Sequence, residues 1–158
     1  MIKRIAIYDL DGTLIDSLHR YRTMIKDGKE VIDLTYWREN EHKAYDDLLL
    51  PLHSKYLVDC QDTSCYVILA TARIIKEPDI RFIVDKLGIP DYLISRKEGD
   101  NISGGLLKVR GLQRFFNLKN FKQAWNNACF FEDNAVYLKT VCDHFKIKGI
   151  YIPSKQGH

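Results

Sequence analysis

Five short apolar runs recur along the chain, and none shows the polar alternation of a strand that faces water on one side. Continuous runs of this kind are typical of parallel strands that are covered on both faces. They predict five strands, in this order: Arg4–Tyr8, Tyr66–Ala70, Tyr92–Ile94, Ala128–Phe131 and Gly149–Ile152.

Amphipathic segments lie between these runs. From Pro78 to Leu87 the apolar residues recur at helical spacing, with proline in the first turn and glycine directly after. Similar stripes predict a helix over 106–116 and another that Asn134 caps. Strands and helices that alternate in this way predict an α/β fold, a Rossmann-like parallel sheet of about five strands flanked by helices.

Residues 18–62 interrupt this rhythm because they are polar and rich in aromatic residues. Asp27-Gly28 is the signal of a hairpin turn, and residues 43–57 have a helical pattern that Pro51 kinks or interrupts. We therefore predict a single domain over residues 1–158, in which 18–62 form a small cap-like insertion after the first strand.

Composition narrows the class of protein. The chain has 158 residues, 46% of them hydrophobic and 28% charged, which is typical of one globular domain. No apolar run reaches the ~20 residues of a membrane span, and no signal peptide is visible. The four cysteines form no CxxC pair. These features predict a reduced cytoplasmic protein with no membrane association and no obligatory protein partner.

The net charge of +3 is unevenly distributed along the chain. The stretch from Arg96 to Lys122 contains seven basic residues and two acidic ones. Such an excess could attract phosphate groups, but a solvated helix face with a loop would explain it as well.

Carboxylates stand at the end of the first predicted strand. Asp9 and Asp11 follow the apolar run directly, and Gly12-Thr13 allows the backbone to turn. Ligands of open parallel sheets bind beyond the carboxyl ends of the strands. Because two such close carboxylates repel each other, a cation or a proton must compensate them. Mg²⁺ prefers oxygen ligands of this type and binds together with substrate phosphates.

Other predicted strands also end in polar groups. Thr71 can donate a hydroxyl group, and Arg73 can pair bidentately with a phosphate. The acidic pair Glu132-Asp133 ends the fourth strand, so it would face the same metal if that strand lies beside the first. A lysine at the start of the helix over 106–116 would bring a positive charge to the same edge. Together these groups predict a site for phosphoryl transfer.

The motifs resemble those of the haloacid dehalogenase superfamily. The resemblance rests on four elements in the family's order: Asp9-Leu10-Asp11-Gly12-Thr13, Thr71, Lys108 and Glu132-Asp133. It implies that Asp9 is the nucleophile that becomes an aspartyl-phosphate, and that Asp11 acts as general acid and then as general base. It also implies that Asp9, the Asp11 carbonyl and Asp133 hold magnesium, while Thr71 and Lys108 bind phosphoryl oxygens. Lys97 competes with Lys108 for that last role.

A narrower likeness connects the chain with the phosphatase half of phage polynucleotide kinase/3′-phosphatases. That half has a Gly-Arg or Ala-Arg pair after the second strand, here Ala72-Arg73, and then an Arg-x-x-Gly-Asp stretch, here residues 96–100. The likeness adds Ala72, Arg73 and Arg96 to the phosphate-binding candidates. The chain departs from the pattern at Gly104-Gly105, where that family usually has acidic residues before the lysine.

The insertion contains two places where arginine neighbours aromatic residues, around Arg20 and around Arg38. Aromatic rings could stack on a nucleobase while the arginines hold phosphate. A small packed subdomain with a wet rim would have the same composition, and both interpretations stay open.

We therefore expect a Mg²⁺-dependent phosphomonoesterase that acts on a nucleic-acid 3′-phosphate end or on a nucleotide. One alternative is a nucleoside monophosphatase. Another is a haloacid dehalogenase-like domain that binds nucleic acid without catalysis. The likeness to phage enzymes places the expected activity in the host cytoplasm.

Overall fold

The computed structural model describes residues 1–157. The strands within this range are β1 (Arg4–Tyr8), β2 (Ile15–Asp16), β3 (Thr23–Lys26), β4 (Lys29–Ile32), β5 (Leu48–Leu49), β6 (Cys65–Ala70), β7 (Tyr92–Ile94), β8 (Ala128–Glu132) and β9 (Lys148–Tyr151). The α-helices are α1 (Leu34–Glu39), α2 (His53–Gln61), α3 (Glu77–Phe82), α4 (Gly104–Phe116) and α5 (Ala135–Phe145). Short 3₁₀ helices cover Leu18–Arg20, Glu41–Asp46, Lys119–Phe121 and Ala124–Asn127.

A parallel sheet with the strand order β7–β6–β1–β8–β9 forms the centre of the molecule. The five strands are those that the continuous apolar runs predict, so the predicted α/β architecture is confirmed. The chain moves outward from β1 through β6 to β7 and then returns to the other side of β1 with β8. The carboxyl end of β1 therefore lies at the switch in strand order, between the ends of β6 and β8.

Each face of the sheet has its own apolar layer. Successive side chains of a strand point to opposite faces, so Ile5 and Ile7 contribute to one layer while Ala6 and Tyr8 contribute to the other. Helices α4 and α5 cover the first layer, and α2 and α3 cover the second. Because apolar side chains fill both faces, charged groups of the sheet are concentrated at its strand ends.

The insertion differs in part from its predicted local structure. Asp27 and Gly28 form the predicted hairpin turn between β3 and β4, with φ angles of 53° and 74°. Residues 43–57 are not one helix: a 3₁₀ helix ends at Asp46, β5 pairs with β2, and α2 begins only after Pro51. Pro51 has no N–H group, so it cannot donate the hydrogen bond that one continuous helix over 43–57 would need at this position. The second half of the segment packs on the sheet, where Tyr56 of α2 is buried.

Two of the predicted helices have different ends. The segment predicted over 78–87 is α3 followed by one π-helical stretch over Ile83–Leu87, in which the Gly88 N–H donates to the Ile83 carbonyl at 2.9 Å. Helix α4 begins two residues before the predicted start, because Ser103 caps it by accepting from the Leu106 N–H. No helix within residues 1–157 is long and apolar enough to cross a membrane.

A buried ionic cluster holds the sheet to α2, on the face of the sheet that α2 and α3 cover. The Asp59 carboxylate is 2% exposed and accepts hydrogen bonds from Tyr8 at 2.5 Å, from Arg4 at 2.9 Å and from Lys55 at 2.9 Å. Burial would raise the pKa of Asp59, but these three hydrogen bonds outweigh it and lower the pKa. Tyr8 directly precedes Asp9, so this cluster also fixes the strand that carries the first carboxylate of the site.

We predict that Asp59→Asn lowers the free energy of unfolding by about 2–3 kcal/mol near pH 7, because hydrogen bonds to a buried charge are lost. A carboxyl group whose pKa is lowered by folding stabilises the protein above its unfolded pKa of about 4, and this contribution is lost as the pH falls through the folded value. Urea unfolding at pH 7 and near pH 3 should therefore show a difference from the wild type that shrinks in acid. A difference independent of pH would contradict the ionic origin.

Candidate active site

Asp9 lies at the centre of the site, directly after β1. Its backbone N–H donates to the Phe131 carbonyl of β8 at 2.9 Å, which fixes the carboxylate at the carboxyl edge of the sheet. The Thr13 hydroxyl donates to Asp9 Oδ2 at 3.0 Å, and Lys108 Nζ donates to Oδ1 at 2.8 Å. Both carboxylate oxygens are thus held in defined positions, as an oriented nucleophile requires.

Lys108 is fully buried and reaches the site from the second turn of α4. Its Nζ contacts Asp9 and also both oxygens of Glu132, each at 3.1 Å. Burial would lower the pKa of Lys108, but the two carboxylates outweigh it and raise the pKa. The structure thus brings Lys108 to the site, whereas Lys97, its competitor in the sequence, is exposed and lies outside the cleft.

Three buried carboxylates crowd around this one ammonium group. Asp9, Glu132 and Asp133 each offer an oxygen within 4.8 Å of the other two. Burial and the neighbouring charge of Asp9 raise the pKa values of both Glu132 and Asp133. With all three carboxylates ionised, the cluster would carry more negative charge than Lys108 can neutralise, so protons or a cation must compensate it.

The donor set fits a magnesium ion. Asp133 Oδ2 is buried and has no hydrogen-bond partner among the described residues, whereas Lys108 holds both oxygens of Glu132. A buried carboxylate oxygen without a partner is costly unless a cation binds it. Gly12, whose φ is 80°, leaves the space beside Asp133 Oδ2 open, because a Cβ there would lie only 2.1 Å from this oxygen. Asp9 and Asp133 are thus the carboxylates suited to Mg²⁺, whereas Glu132 binds Lys108 with both oxygens; that Asp9 and Asp133 hold the ion, as the resemblance implies, stays a prediction.

Asp11 has a different environment from Asp9. Arg73 Nε donates to Asp11 Oδ2 at 2.5 Å, and its NH1 group lies 2.9 Å from Asp79. Burial would raise the pKa of Asp11, but the charge of Arg73 outweighs it and lowers the pKa. Arg73 therefore contacts the predicted acid/base, and its predicted contact with phosphate stays a prediction. Asp79, which contacts Arg73, belongs to none of the motifs that predict the site.

Arg20 lies beneath the site and not in the cleft. It is fully buried, and its Nε and NH2 groups donate to the two oxygens of Asp47, both at 2.8 Å. Its guanidinium also lies 4.2 Å from the centre of the Trp37 ring. This arrangement connects two parts of the insertion, so the structure gives Arg20 a packing environment and no open path to a phosphate.

The remaining phosphate-binding candidates surround the end of β6. Thr71 is buried and lines the cleft, with its backbone N–H bonded to the Ile94 carbonyl at 2.9 Å. The Ala72 carbonyl accepts from Arg96 Nε at 2.7 Å, and Arg96 NH1 donates to the carbonyls of Asp100 and Ile102. Arg96 thus shapes the loop at the mouth of the cleft by bonds to its backbone.

The carboxylates open into a cleft of about 400 Å³ between the sheet edge and the insertion. Its wall on the insertion side is mainly apolar and includes Tyr21, Ile32, Leu34 and Trp37. Arg38 is exposed on α1 and lines the same wall. The insertion therefore forms one wall of the cleft and brings one of the two predicted arginines to it, and its role as a cap stays a prediction.

The last described residues contribute a side chain to the cleft that no sequence motif predicts. Gln156 lines the cleft and forms hydrogen bonds with Ser17, which in turn donates to Asp11 Oδ1 at 3.1 Å. Neither residue belongs to a motif, and they are separated by 139 positions. Only the fold brings them together, so the sequence contains no local signal for this contact.

Comparison with solved structures defines the class of protein. A chain of the Pnkp1/Rnl/Hen1 RNA repair complex superposes with a TM-score of 0.65 at 18% identity, over 97% of this chain and 43% of that one. A haloacid dehalogenase-like hydrolase from Streptococcus pneumoniae gives 0.59 at 12% identity, over 96% and 87%. The haloacid dehalogenase domain of the effector Lem4 from Legionella pneumophila gives 0.59 at 13%, over 99% and 88%. The fold is haloacid dehalogenase-like, which confirms the resemblance seen in the sequence.

The particular family follows from the sequence matches. The chain belongs to the family described as bacteriophage T5 5′-deoxynucleotidase, which it matches over residues 1–98. The 5′-deoxynucleotidase of Escherichia phage T5 is 36% identical over 146 residues, which cover 82% of this chain and 58% of that protein. The chain thus spans little more than half of that relative's length. Membership of this family is what the matches show, and phosphatase activity of this chain stays a prediction.

We predict that saturating Mg²⁺ raises the melting temperature by about 5–10 °C, because an ion that binds only the folded state at 100-fold its Kd stabilises it by about 2.7 kcal/mol. Differential scanning fluorimetry with and without the ion measures the shift. Asp133→Asn should remove most of it, whereas Asp143→Asn, an exposed carboxylate on α5, should retain it. An equal shift in both variants would place the ion elsewhere.

Proposed function

We propose that the protein is a Mg²⁺-dependent phosphomonoesterase that hydrolyses deoxynucleoside 5′-monophosphates through an aspartyl-phosphate on Asp9. The observation that carries this proposal is the placement of Asp9. Lys108 and Thr13 orient its carboxylate, and it faces the unpartnered oxygen of Asp133 at the floor of a covered cleft. Membership of the family and the activity named for the T5 relative support the choice of substrate.

In this proposal the reaction has two halves. The Asp9 carboxylate attacks the phosphorus atom, the bond to the leaving oxygen breaks, and Asp11 gives its proton to that oxygen. Asp11 then removes a proton from the water that attacks the phosphorus of the aspartyl-phosphate, which releases inorganic phosphate and restores Asp9. Arg73 favours the ionised form of Asp11, which suits the second half. An arriving phosphate dianion would raise the pKa of Asp11 and favour the protonated form that the first half needs.

Electrostatic stabilisation comes from both sides of the reacting phosphoryl group. Lys108 is positioned to offset charge at Asp9, and the Thr71 hydroxyl lies at the neighbouring strand end. A magnesium ion held by Asp9, Asp133 and the Asp11 carbonyl would supply further positive charge to the phosphoryl oxygens. Preoriented groups of this kind stabilise the charge that develops in the transition state.

The cleft supports a nucleotide as the substrate. Its volume of about 400 Å³ lies within the range of small-molecule sites, roughly 300–1,000 Å³. The phosphate would lie at the carboxylate edge, and the apolar wall with Trp37 would face the nucleobase. Arg38 adds a positive charge to the same wall, to which the acidic residue Glu41 also contributes.

A nucleic-acid 3′-phosphate end is a weaker candidate because the basic stretch of the sequence does not form an open patch. Lys108 is buried, Arg96 is bonded to backbone carbonyls, and Arg110 forms an ion pair with Asp100. Arg114 donates to the Tyr92 hydroxyl. Lys97, Lys119 and Lys122 are exposed, but none of them lines the cleft, although polymer binding depends strongly on basic residues that continue from the site along the backbone.

We predict that Asp9→Asn reduces kcat/KM for deoxynucleoside 5′-monophosphates by about 10³-fold or more, because the nucleophile is lost. Phosphate release at saturating Mg²⁺ measures the rate, with Asp143→Asn as the control. Trapping of ³²P-labelled protein with wild type but not with Asp9→Asn would support the covalent step. If the wild type releases no phosphate from any substrate while it still binds nucleic acid, the non-catalytic alternative is correct.

The wild type should hydrolyse deoxynucleoside 5′-monophosphates with a kcat/KM at least about tenfold above that for a 3′-phosphorylated oligonucleotide, because the latter needs a polymer path that the paired basic residues do not offer. Parallel assays of both substrates at equal ionic strength decide between them. A preference for the oligonucleotide would instead favour an end-processing phosphatase.

We further predict that Arg38→Ala raises KM for nucleotides by about three- to tenfold with little change in kcat, because it removes ground-state binding at the cleft wall. KM for p-nitrophenyl phosphate, which has no nucleoside, should change much less. Lys43→Ala, at an exposed position of the insertion outside the cleft, is the matched control. If Arg38→Ala has no effect on nucleotides, the insertion does not determine specificity through this residue.

A further inference from the structure

The segment from Ser154 to Gly157 crosses the acidic edge of the sheet. The Ile152 N–H donates to the Glu132 carbonyl at 2.9 Å, so the pairing of β8 and β9 continues beyond the end of β9. A Cβ at Gly157 would lie 2.5 Å from the Asp133 carbonyl oxygen, which shows how closely this backbone packs on the strand end. The Gln156 N–H donates to the Ser154 hydroxyl at 2.8 Å and turns the chain over the cleft.

The side chain of Gln156 binds Ser17 at two points. Its Nε2 donates to Ser17 Oγ at 2.7 Å, and its Oε1 accepts from the Ser17 backbone N–H at 3.3 Å. The second bond fixes the orientation of the amide, because a backbone N–H can only donate. Since Nε2 then donates to the hydroxyl oxygen, the hydroxyl hydrogen of Ser17 is free for another acceptor.

That acceptor is the carboxylate of Asp11. Ser17 Oγ lies 3.1 Å from Asp11 Oδ1, while Arg73 Nε holds Oδ2 at 2.5 Å. Ser17 is fully buried, so the described structure leaves its hydroxyl between Gln156 and Asp11. Arg73 NH2 also donates to Oδ1, but at 3.4 Å, so the shorter of these two bonds to Oδ1 comes from Ser17 and depends on the crossing segment.

We propose that Gln156 is a positioning residue that acts through Ser17 to orient Asp11 for proton transfer to the leaving oxygen. The inference rests on the proposed function, in which Asp11 is the general acid. Without the Gln156 amide, the Ser17 hydroxyl is free to turn away from Asp11, and Oδ1 keeps only the longer bond from Arg73. Proton transfer requires the acid within hydrogen-bond distance of the leaving oxygen, so a loosely held carboxyl group transfers its proton less efficiently.

The choice of leaving group tests this role in the complete chain. A nucleoside alkoxide needs a proton to leave, whereas p-nitrophenolate is stable enough to leave without one. Gln156→Ala should therefore lower kcat/KM by about tenfold for a deoxynucleoside 5′-monophosphate, and by about twofold for p-nitrophenyl phosphate. The parameter kcat/KM is informative because it covers the steps up to release of the leaving group.

Four further variants make the test more specific. Gln156→Glu keeps the size of the side chain but loses the amide donor and competes for the Ser17 hydrogen, so it should show the same selective loss. Ser17→Ala should also show the selective loss. In the double variant Ser17→Ala/Gln156→Ala, kcat/KM for the nucleotide should fall no further than in the less active of the two single variants, because both residues act on Asp11 through the same hydrogen bonds. Lys155→Ala, exposed in the same segment, should retain the activity on both substrates.

Asp11→Asn separates failure of the inference from failure of the proposed function. If Asp11→Asn retains wild-type kcat/KM on the nucleotide, Asp11 is not the acid and the proposed mechanism fails. If Asp11→Asn shows the selective loss but Gln156→Ala does not, only the positioning role of Gln156 is wrong. Equal losses on both substrates in Gln156→Ala would likewise overturn that role, because a defect in folding or phosphate binding has no dependence on the leaving group.

Discussion

The excess of buried negative charge around Lys108 is the constraint on which the site depends. Three carboxylates lie within reach of one ammonium group at a sheet edge, where apolar layers on both faces keep the local dielectric low. Such a cluster lowers stability by itself, since Asp133 keeps an unpaired buried oxygen. Because a fold that served stability alone would pair or expose this group, the cluster supports the proposed site for a cation.

Asp9 and Asp11 are one residue apart but belong to different electrostatic groups. Asp9 interacts with Lys108 inside the edge of the sheet, whereas Asp11 interacts with Arg73 on the side of the insertion. In the proposed mechanism this separation gives the nucleophile and the acid/base different partners. Trp37 contacts the same group, because the Arg73 guanidinium lies 5.5 Å from its ring. The insertion that covers the cleft is therefore physically connected to the predicted acid/base.

The sequence predicts the central sheet and the carboxylates well because both depend on local patterns. A continuous apolar run followed by acids determines where β1 ends, and the same logic applies to β8. The choice of Lys108 over Lys97 also follows from local rules, because the Ser103 cap sets the phase of α4. Contacts of the insertion and of Gln156 could not be predicted, since they join segments that are distant along the chain and share no periodicity.

Gly104 and Gly105 show how a departure from a motif can have a packing cause. A Cβ on Gly104 would lie 2.5 Å from the Tyr137 ring, and one on Gly105 would lie 3.1 Å from Thr140, so α4 approaches α5 closely at its first turn. Because α4 packs this closely on α5, the backbone of Lys108 lies where its side chain reaches the carboxylates. The acidic residues expected at these positions would not fit against α5, and they would add negative charge beside an edge that already has too much. Glycine at both positions therefore satisfies the packing and the charge balance together.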